Sequence, residues 1–444
     1  MASSEGPAFL PLAPLSNLVK SRRVKTEGNL PLLRAQCAGR IVQGSESHFG
    51  TVGEKERKME MRVSRHVIFS AALIALGAGC LSAAAMAQDS QQAAKPMFGT
   101  LPPHNINNFT PRALPPNVLT TFTKSFVYNT VTYPFTMVGA DPSVCLGATC
   151  NVAAPAFIIP IKIVIGASTF NPSHVLVTVP PETVTQNVKR SPMFAPSTWT
   201  LPPLCGVCSL PNRQYEDAYQ KASLWVNTSS KPTYHDRLVN PPTVVAPVTL
   251  TCGTPNCTTG INPISGMGTV ALVNLNLLDS TCQSAINANP SITPGAVAIC
   301  LTYDTFLTSG SCCVGGFHSA YGGPSSQTYI YATWIDPINC VAPCQFSEDT
   351  AAVSSQVAAW IADPYLNNSV PYAPCSGLLE VEEPLPQHDY VQSLLGPPAY
   401  SYHVQDLVVL PYFYQAVSSA VNGWYTFDNE AGYIAPCSHG PALR

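Results

Sequence analysis

Cysteine content constrains this chain more than any other feature. Its 444 residues include sixteen cysteines, too many for a reducing cytosol unless they bind metal. Fourteen of them lie after residue 88, an even number that can pair completely as disulfides in an oxidising compartment. We therefore predict a fold whose loops are held by disulfide bonds. The predicted disulfide cysteines are Cys145, Cys150, Cys205, Cys208, Cys252, Cys257, Cys282, Cys300, Cys312, Cys313, Cys340, Cys344, Cys375 and Cys437.

Four cysteine pairs are close enough in sequence to close local loops. They are Cys145/Cys150, Cys205/Cys208, Cys252/Cys257 and Cys340/Cys344. The spacing of Cys205-Gly-Val-Cys208 is also that of a redox motif or of half a zinc site. No predicted strand leads into this motif, no helix directly follows it, and thiolate zinc sites are disfavoured where thiols are oxidised. The spacing therefore favours a disulfide-closed loop.

A pattern typical of a secretory leader lies well inside the chain. The segment Met61-Arg-Val-Ser-Arg65 is basic, the run Val67–Gly79 is apolar, and Ala85-Met-Ala87 matches a signal-peptidase cleavage site. These three parts occur in the order that a signal peptide requires. We therefore predict a signal peptide at 61–87.

The position of this leader sets the predicted boundaries of the protein. A signal peptide lies near the true N-terminus, so we predict that translation begins at Met61 and that residues 1–60 are an upstream extension. Cleavage after Ala87 then leaves a secreted or periplasmic protein. A lipoprotein cleaved at Cys80 is less favoured, because Leu76 stands four residues before that cysteine instead of three. No later run reaches the length of a transmembrane span.

The charge of the chain excludes one class of partner. Only 11% of the residues are charged and the formal net charge is −3, so the chain has no basic surface of the kind that binds nucleic acid. Residues 238–443 contain no Lys or Arg. A surface of this kind suits an acidic medium, or it is the polar Ser, Thr, Asn and Gln surface of a secreted protein.

The hydrophobic pattern predicts the domain organisation and the fold class. We predict one α+β domain at 117–437, with a mixed or antiparallel sheet, a few helices and disulfide-closed loops. An extended arm rich in Pro, Asn and Gln precedes it at 88–116, and a tail follows at 438–444.

Several elements can be placed within this domain. The predicted strands are 156–165, 174–179, 269–278, 296–307, 327–335, 378–382 and 400–414. The predicted helices are 214–226 and 347–362. Ser347 is the expected N-cap of the second helix, and Asp363-Pro364 is expected to end it. Pro160 predicts that its strand lies at a sheet edge or contains a bulge.

The usual catalytic motifs are missing from the sequence. It contains no Gly-x-Ser-x-Gly elbow, no Walker loop and no Gly-x-Gly-x-x-Gly after a strand. A cysteine nucleophile is disfavoured because all fourteen cysteines can pair. No His-x-x-x-His or His-x-His pair offers a ready metal site. The sequence therefore predicts a compartment and a covalent framework without naming a reaction.

Several segments carry a resemblance to a known group of proteins. They are Gly316-Phe-His-Ser, Thr328-Tyr-Ile-Tyr-Ala-Thr-Trp-Ile-Asp336, Val353-Ser-Ser-Gln-Val-Ala-Ala-Trp-Ile-Ala-Asp-Pro364, Leu379-Glu-Val381, Tyr402-His-Val-Gln-Asp406 and Asn422-Gly-Trp-Tyr-Thr-Phe427. In these segments the chain resembles a group of exported bacterial proteins with no assigned activity, whose members carry a zincin-like His-Glu-x-x-Glu on the helix. The similarity covers most of the second half of the chain, and 214–225 adds a match further upstream.

The resemblance implies a metal-binding helix, but this chain departs from the motif. At the three functional positions it has Ser355, Gln356 and Ala359. Serine is a poor zinc ligand, glutamine cannot act as a general base, and alanine supplies no ligand. We therefore expect a member that has lost the metallohydrolase centre. The alternative is an ordinary amphipathic core helix without any relation to zincins.

Other polar residues are candidates for a separate site. They are His318, Asp363, Glu380, Glu382, His403 and Asp406. Glu380 and Glu382 stand two apart on a predicted strand, so their side chains share one face. Such a pair can serve a glycoside hydrolase or bind Ca²⁺, although it is also common at a solvated strand end. His318, in a predicted Gly-rich loop, is the better ligand candidate of the two histidines.

Two hypotheses about function follow from these observations. The first is an exported, disulfide-stabilised protein without catalytic activity, built on a zincin-like scaffold and acting in binding or at the cell envelope. The second is a secreted hydrolase, either dependent on a divalent metal or using a carboxylate pair, with its site near Glu380 and His318. The first hypothesis predicts no cofactor, whereas the second leaves zinc or calcium open. The partner is expected to be an envelope or extracellular ligand.

Overall fold

A computed structural model describes most of the predicted domain. The described residues are 98–100, 118–178, 180–200, 209–321, 326–340, 344, 347–370, 377–382, 385, 388–394, 399–414 and 425–427. They belong to one structural unit, residues 78–444. The predicted extension, the signal peptide, the tail and four of the predicted disulfide cysteines (Cys205, Cys208, Cys375 and Cys437) lie outside the described residues.

The described part of the chain forms the following elements. The strands are β1 (Phe98–Thr100), β2 (Thr121–Tyr128), β3 (Val131–Val138), β4 (Asn151–Ala154), β5 (Ala156–Ile165), β6 (Ser168–Phe170), β7 (Val175–Leu176), β8 (Glu182–Thr183), β9 (Ser197–Thr200), β10 (Ser209–Arg213), β11 (His235–Leu238), β12 (Thr243–Val244), β13 (Val248–Cys252), β14 (Cys257–Ile261), β15 (Thr269–Asn274), β16 (Val297–Tyr303), β17 (Thr305–Ser309), β18 (Ser311–Val314), β19 (Gly316–Tyr321), β20 (Gln327–Trp334), β21 (Asp389–Leu394), β22 (Tyr400–Gln405), β23 (Val408–Val409) and β24 (Tyr425–Thr426). The helices are α1 (Val184–Arg190), α2 (Tyr215–Ser223), α3 (Trp225–Thr228), α4 (Leu275–Ala288), α5 (Ala351–Ala362) and α6 (Pro411–Tyr414).

The central sheet contains eight strands. Its order is β1-β19-β20-β16-β5-β12, and β6 and β13 also pair with β5. Strands β20, β16, β5, β12 and β13 run parallel, β19 is antiparallel to β20, and β1 is parallel to β19. A second sheet has the order β14-β15-β17-β18. The predicted class, α+β with a mixed sheet and a few helices, is confirmed.

The middle strands of the sheet are covered on both faces. Every residue of β16 and of β20 is buried. Parallel strands covered on both faces have near-continuous apolar sequences instead of alternating ones. This explains why Val297–Tyr303 and Gln327–Trp334 are strong strand signals in the sequence.

The interpretation of Pro160 as an edge or bulge marker is wrong, because β5 lies inside the sheet. Strand β16 pairs with one side of β5 as far as Pro160. On the other side, β12 pairs with β5 up to Ile158, and β13 pairs from Ile161 onward. Pro160 lies at the junction between these two neighbours. A residue without an N–H is tolerated there because no ladder hydrogen bond is lost.

Helix α5 occupies the centre of the domain. All twelve of its residues are buried, and it packs against β20, β19, β22 and α2. Trp360 donates a hydrogen bond from Nε1 to Oγ1 of Thr328 at 2.9 Å, which joins the helix to β20. The helix ends at Ala362 with Asp363 as its C-cap, as predicted.

The start of α5 differs from the prediction. Thr350 is its N-cap residue, whereas the sequence pointed to Ser347. Asp349 has a φ of 37° and bridges to Ile335, so the backbone before Thr350 cannot be helical. The consequence is that Glu348 and Asp349 lie outside the helix, where their carboxylates can face other elements.

One predicted strand is half helix. The prediction of a strand at 269–278 holds only as far as Asn274, where β15 ends. The side chain of Asn274 accepts a hydrogen bond from the N–H of Leu277 at 3.2 Å and caps α4. Asparagine is among the preferred N-cap residues, so the signal for this helix was present in the sequence.

Other predicted elements end or break where the backbone changes direction. The strand expected at 296–307 is interrupted at Asp304, whose φ is 44°. The segment 378–382 is not a strand, and 400–414 contains two strands followed by the helical turn α6. The helix expected at 214–226 is divided into α2 and α3 at Leu224.

Five disulfide bonds are described. They are Cys145–Cys150, Cys252–Cys257, Cys282–Cys300, Cys312–Cys313 and Cys340–Cys344. Three of the local pairs predicted from spacing are thus confirmed, and Cys282–Cys300 additionally joins α4 to β16. Disulfides in this number fit a compartment outside the cytoplasm. In the part of the chain that the structure describes, no helix has both the length and the apolar character needed to span a membrane.

Candidate functional site

The zincin-like positions lie where α5 packs on β19. Gly316 of β19 faces Gln356 so closely that a Cβ on Gly316 would lie 2.9 Å from Cγ of Gln356. The side-chain oxygen of Gln356 lies 3.4 Å from Nδ1 of His318. The absence of a side chain at Gly316 therefore lets the helix approach the strand closely.

His318 is a core residue of this interface. It lies in β19 and is fully buried, so the prediction that it occupies a Gly-rich loop is wrong. Its Nε2 lies 3.2 Å from the carbonyl oxygen of Asp363. Burial lowers the pKa of His318 to about 4, so the ring is neutral at pH 7. Its two ring nitrogens thus contact Gln356 and Asp363, so the histidine joins α5 and its C-cap to β19.

The residues at the motif positions do not fit a zinc ion. Ser355, Gln356 and Ala359 are all fully buried, and the Gln356 side chain donates to Oγ of Ser355 at 3.3 Å. This set offers neither a carboxylate nor an imidazole, which are the usual non-cysteine ligands of zinc. Within the described ranges, no group of three or more His, Cys, Asp or Glu side chains has an arrangement that could hold a metal ion.

Asp363 caps the end of α5 and the turn that follows. Its carboxylate accepts hydrogen bonds from the N–H groups of Asn367 and Asn368 at 3.0 and 3.1 Å. Burial raises its pKa to about 7. Asn368 in turn donates to the carbonyl oxygen of Thr136 in β3. Asp363 thus connects the helix end to a neighbouring hairpin.

The predicted carboxylates Glu380, Glu382 and Asp406 are all buried, and Glu382 and Asp406 lie near α2. All three are at most 2% exposed, and the chain segments that carry them are joined by a hydrogen bond from the N–H of Val408 to the carbonyl of Val381. Burial raises the pKa values of Tyr215 and Tyr219 in α2, and the charges of Glu382 and Asp406 raise them further. The pairing of the two glutamates on one strand face is not realised, because 378–382 is not a strand.

One small cavity lies against the same segment, but none of the three carboxylates lines it. This cavity between α2, α5 and the 379–381 segment has a volume of about 10 Å³. That volume corresponds to one water molecule. A sugar or peptide substrate does not fit into it.

His403 belongs to a different and more accessible cluster. Its Nδ1 lies 2.9 Å from a carboxylate oxygen of Asp349 and 3.3 Å from one of Glu348. Its N–H also donates to Asp349, at 3.0 Å. Burial alone would lower the pKa of His403, but the hydrogen bond and charge of Asp349 outweigh it and raise the pKa to about 9. Burial raises the pKa of Glu348 to about 7. The side chain of His403 is 19% exposed, so this cluster contacts solvent.

Further acidic residues lie at the carboxyl ends of the neighbouring parallel strands. Asp304 follows β16 and Asp336 follows β20. Asp304 accepts hydrogen bonds from the N–H of Asp336 and from the side chain of Asn339, each at 2.8 Å. Tyr303 donates to Asp336 at 2.8 Å, and the ring of His174 stacks on Tyr303 with centroids 4.8 Å apart.

The two acidic clusters are neighbours. Burial and the charges of Asp349 and Asp336 raise the pKa of Tyr400 far above its ordinary value, so the tyrosine lies near both. The carboxyl ends of parallel strands are where open α/β sheets bind ligands. Of the predicted site residues, only His403 lies at the carboxyl ends of these strands.

The sequence analysis missed the four acidic residues at the carboxyl ends of the parallel strands, namely Asp304, Asp336, Glu348 and Asp349. The sequence does contain a signal for two of them. Asp304 comes one residue after β16, and Asp336 comes two residues after β20. A carboxylate directly after a fully buried parallel strand marks the ligand-binding edge of a sheet. Glu348 and Asp349 were instead interpreted as the first turn of a helix, which concealed their contact with His403.

The buried acids predict how stability depends on pH. Burial raises the pKa of Asp304 and Asp363 to about 7 and of Asp236 to about 8. Their folded pKa values lie above the unfolded ones, so the stability that they contribute is lost as pH rises through 7 to 8. His403, whose pKa is raised to about 9, acts in the same direction above its unfolded pKa. His318 has the opposite effect, but only below its unfolded pKa of about 6.5.

We therefore expect the free energy of unfolding to fall as pH rises from 6.5 to 8. Urea unfolding at several pH values measures this dependence. The Asp236→Asn variant cannot ionise and should show a shallower slope, by up to about 1.4 kcal/mol per pH unit. Asp141→Asn is the matched control, because Asp141 is partly exposed and its pKa is lowered. A wild-type stability that is flat or rises over this range contradicts the prediction.

Comparison with known proteins adds no relative to this description. No protein-family model, no curated protein and no solved structure matches the chain.

Proposed function

We propose that this chain is an exported, disulfide-stabilised protein that acts by binding, on a zincin-like scaffold without a hydrolytic metal centre. The predicted export leader, the number of described disulfides and the resemblance of the second half of the chain support this proposal. The ligand is an extracellular or envelope component.

One observation carries the proposal. The three positions at which the resembling proteins have His, Glu and Glu are Ser355, Gln356 and Ala359, and all three are fully buried. Gln356 packs against Gly316 and His318, so this part of the helix is an interior contact with β19. A hydrolytic centre needs ligands, a water molecule and access for substrate. The donor chemistry and the burial both oppose such a centre on α5.

A second function is favoured by the cluster around His403. Burial raises the pKa of Glu348 to about 7, which suits a group that gives and takes a proton at neutral pH. It lies beside a solvent-accessible histidine that Asp349 orients. This arrangement supports a secreted hydrolase with its acid and base at the carboxyl ends of the parallel strands. It lies away from the buried residues Glu380 and His318, where the sequence had pointed.

Metal content is the measurement that tests the proposed function. We expect the mature protein, purified from an oxidising compartment without chelator, to contain zinc and calcium well below one equivalent. Its melting temperature should be the same with excess Zn²⁺ and with a chelator. A metal that bound only the folded state would stabilise it by about 2.7 kcal/mol at a concentration of a hundred times its Kd, and the melting temperature would then rise. About one metal ion per chain, together with chelator-sensitive hydrolysis of a peptide or glycoside, overturns the proposal.

The same preparation distinguishes the second function. We look for hydrolysis that persists in chelator. If this hydrolysis is lost in Glu348→Gln but retained in Glu382→Gln, the reaction belongs to the cluster around His403. Both glutamines are isosteric with the glutamates that they replace, so each substitution removes a proton donor without changing the volume.

A further inference from the structure

The disulfide Cys312–Cys313 differs from the other described disulfides in what it joins. It links two consecutive residues of β18, whereas the other four join cysteines that are 4 to 18 positions apart. Strand β18 is the outermost strand of the second sheet and, in the described part of the chain, pairs only with β17. A disulfide between neighbouring residues holds no two elements together. Cross-linking of the fold therefore does not explain this bond.

The ladder between β17 and β18 is irregular at this pair. Thr308 lies opposite Cys312 and Leu307 lies opposite Val314, so Cys313 has no residue opposite it. This is a β-bulge, with one extra residue in the outer strand. Consecutive side chains of a regular strand point to opposite faces of the sheet. Two bonded neighbours cannot both keep that arrangement, so the disulfide and the bulge belong together.

The pair is also accessible. Among the five described disulfides, Cys312–Cys313 is the one in which both cysteines are partly exposed, whereas each of the other four bonds has at least one buried cysteine. Thiol–disulfide exchange requires a thiolate to reach a sulfur atom. A dithiol in solution should therefore react with this bond before it reacts with the other described bonds.

Folding does little to protect this bond. A disulfide that closes a long loop is favoured in the folded state, because folding brings two distant cysteines together. Cys312 and Cys313 are neighbours whether or not the chain is folded, so this contribution is smallest for them. Conversely, reduction of the bond removes little constraint from the unfolded chain. The pair can therefore be reduced while the protein remains folded.

We propose that Cys312–Cys313 is a redox-modification site, which a dithiol reduces in the folded protein while the other described disulfides stay closed, and that this reduction releases the bulge in β18. One thiolate of the dithiol attacks a cysteine sulfur, the S–S bond breaks and the other cysteine leaves as a thiolate. The second thiol of the dithiol then attacks the dithiol's own bonded sulfur, which frees the first cysteine. Two electrons and two protons pass to the pair, and the dithiol leaves as its own disulfide.

Reduction changes the registers that are open to β18. Once the two sulfurs separate, the side chains of Cys312 and Cys313 can point to opposite faces, and Cys313 can lie opposite Leu307, where Val314 lies in the oxidised form. The ladder is then no longer restricted to the bulged register. Strand β19 begins two residues after Val314, so the change reaches the strand on which α5 packs.

The first test measures which cysteines are reduced first. The oxidised mature protein is incubated with increasing dithiothreitol in native buffer, free thiols are trapped with N-ethylmaleimide, and the labelled peptides are mapped by mass spectrometry. We expect Cys312 and Cys313 to be labelled together and about tenfold faster than Cys252 and Cys257. The latter pair is the matched control, because Cys252 is also partly exposed. Equal or slower labelling of Cys312 and Cys313, or a bond from either to another cysteine, overturns the proposal.

Amide hydrogen exchange measures the structural consequence. In protein in which only this pair is reduced, we expect faster exchange in β17 and β18 and unchanged exchange in β16. The variant Cys312→Ser/Cys313→Ser should show the faster exchange without dithiothreitol and no further response to it, whereas Cys252→Ser/Cys257→Ser should keep the response. Selective reduction that leaves exchange in β17 and β18 unchanged overturns the proposal. Both measurements on the natural chain remain decisive if a serine variant does not fold.

Discussion

Arg213→Met is expected to lower the free energy of unfolding by about 3–5 kcal/mol, the usual cost of removing one partner from a buried ion pair. Nη1 of Arg213 lies 2.7 Å from Asp217, and the two side chains are 4% and 1% exposed. Without the guanidinium, the carboxylate of Asp217 loses its strongest partner in a site that water does not reach. Urea unfolding at pH 7, followed by tryptophan fluorescence, measures the loss.

Asp217 is the centre of a polar network, which is why the effect should be large. Its carboxylate also accepts the N–H of Asp236 at 3.1 Å and lies 2.7 Å from Nδ1 of His235. It therefore links α2 to β11. Loss of Arg213 disturbs the packing of both elements, in addition to breaking a single contact.

An exposed ion pair of the same chain provides the control. Lys124 lies 2.8 Å from Asp141, but the two side chains are 38% and 21% exposed. Lys124→Met should cost at most about 1 kcal/mol, since water and salt screen the pair. Equal losses for Arg213→Met and Lys124→Met would contradict the interpretation that burial sets the cost.

Gly139→Ala is the second substitution with a large expected effect. Gly139 has a φ of 110°, a conformation that L-residues with a side chain rarely adopt, and an added Cβ would lie 2.1 Å from Cγ of Asp236. The backbone strain costs about 1–3 kcal/mol, and displacing a packed side chain costs about another 1–3 kcal/mol. We expect a total loss of about 2–6 kcal/mol.

The control for Gly139 is a glycine that needs its backbone conformation but has space around it. Gly310 has a φ of 67°, and nothing lies within 4 Å of a Cβ placed there. Gly310→Ala should cost only the left-handed backbone term, about 1–2 kcal/mol. Melting temperatures of the two variants measure the difference. If Gly139→Ala is no worse than Gly310→Ala, the contact with Asp236 does not limit this position.

The parts of the fold that the sequence predicts are those decided by neighbouring residues. The end of α5 at Asp363 follows from the proline after it, and the three local disulfides follow from their spacing. The buried strands β16 and β20 follow from sequences rich in β-branched and aromatic residues. In each case the signal lies within a few residues of the feature.

The parts that the sequence does not predict depend on distant partners. A proline is excluded from an inner strand only where the neighbouring strand needs its N–H. At Pro160 the neighbour is divided into β12 and β13, and this division is a property of the whole sheet. Gly316 suggests a loop, but it is a contact point for Gln356, forty residues later in the chain. The same holds for His403, whose partners Glu348 and Asp349 were assigned to a helix.

The described disulfides have a consequence for how the cysteines would be oxidised in a chain that enters an oxidising compartment N-terminus first. Each one joins two cysteines with no other cysteine between them, separated by 5, 5, 18, 1 and 4 positions. A chain that crosses a membrane N-terminus first presents such pairs one after another. An oxidase that acts on thiols in their order of arrival makes the native bonds directly, without later shuffling. Four of the five described bonds can therefore form before β1 meets β19, since that pairing must wait until residues 316–321 have crossed, and Cys340–Cys344 follows after them.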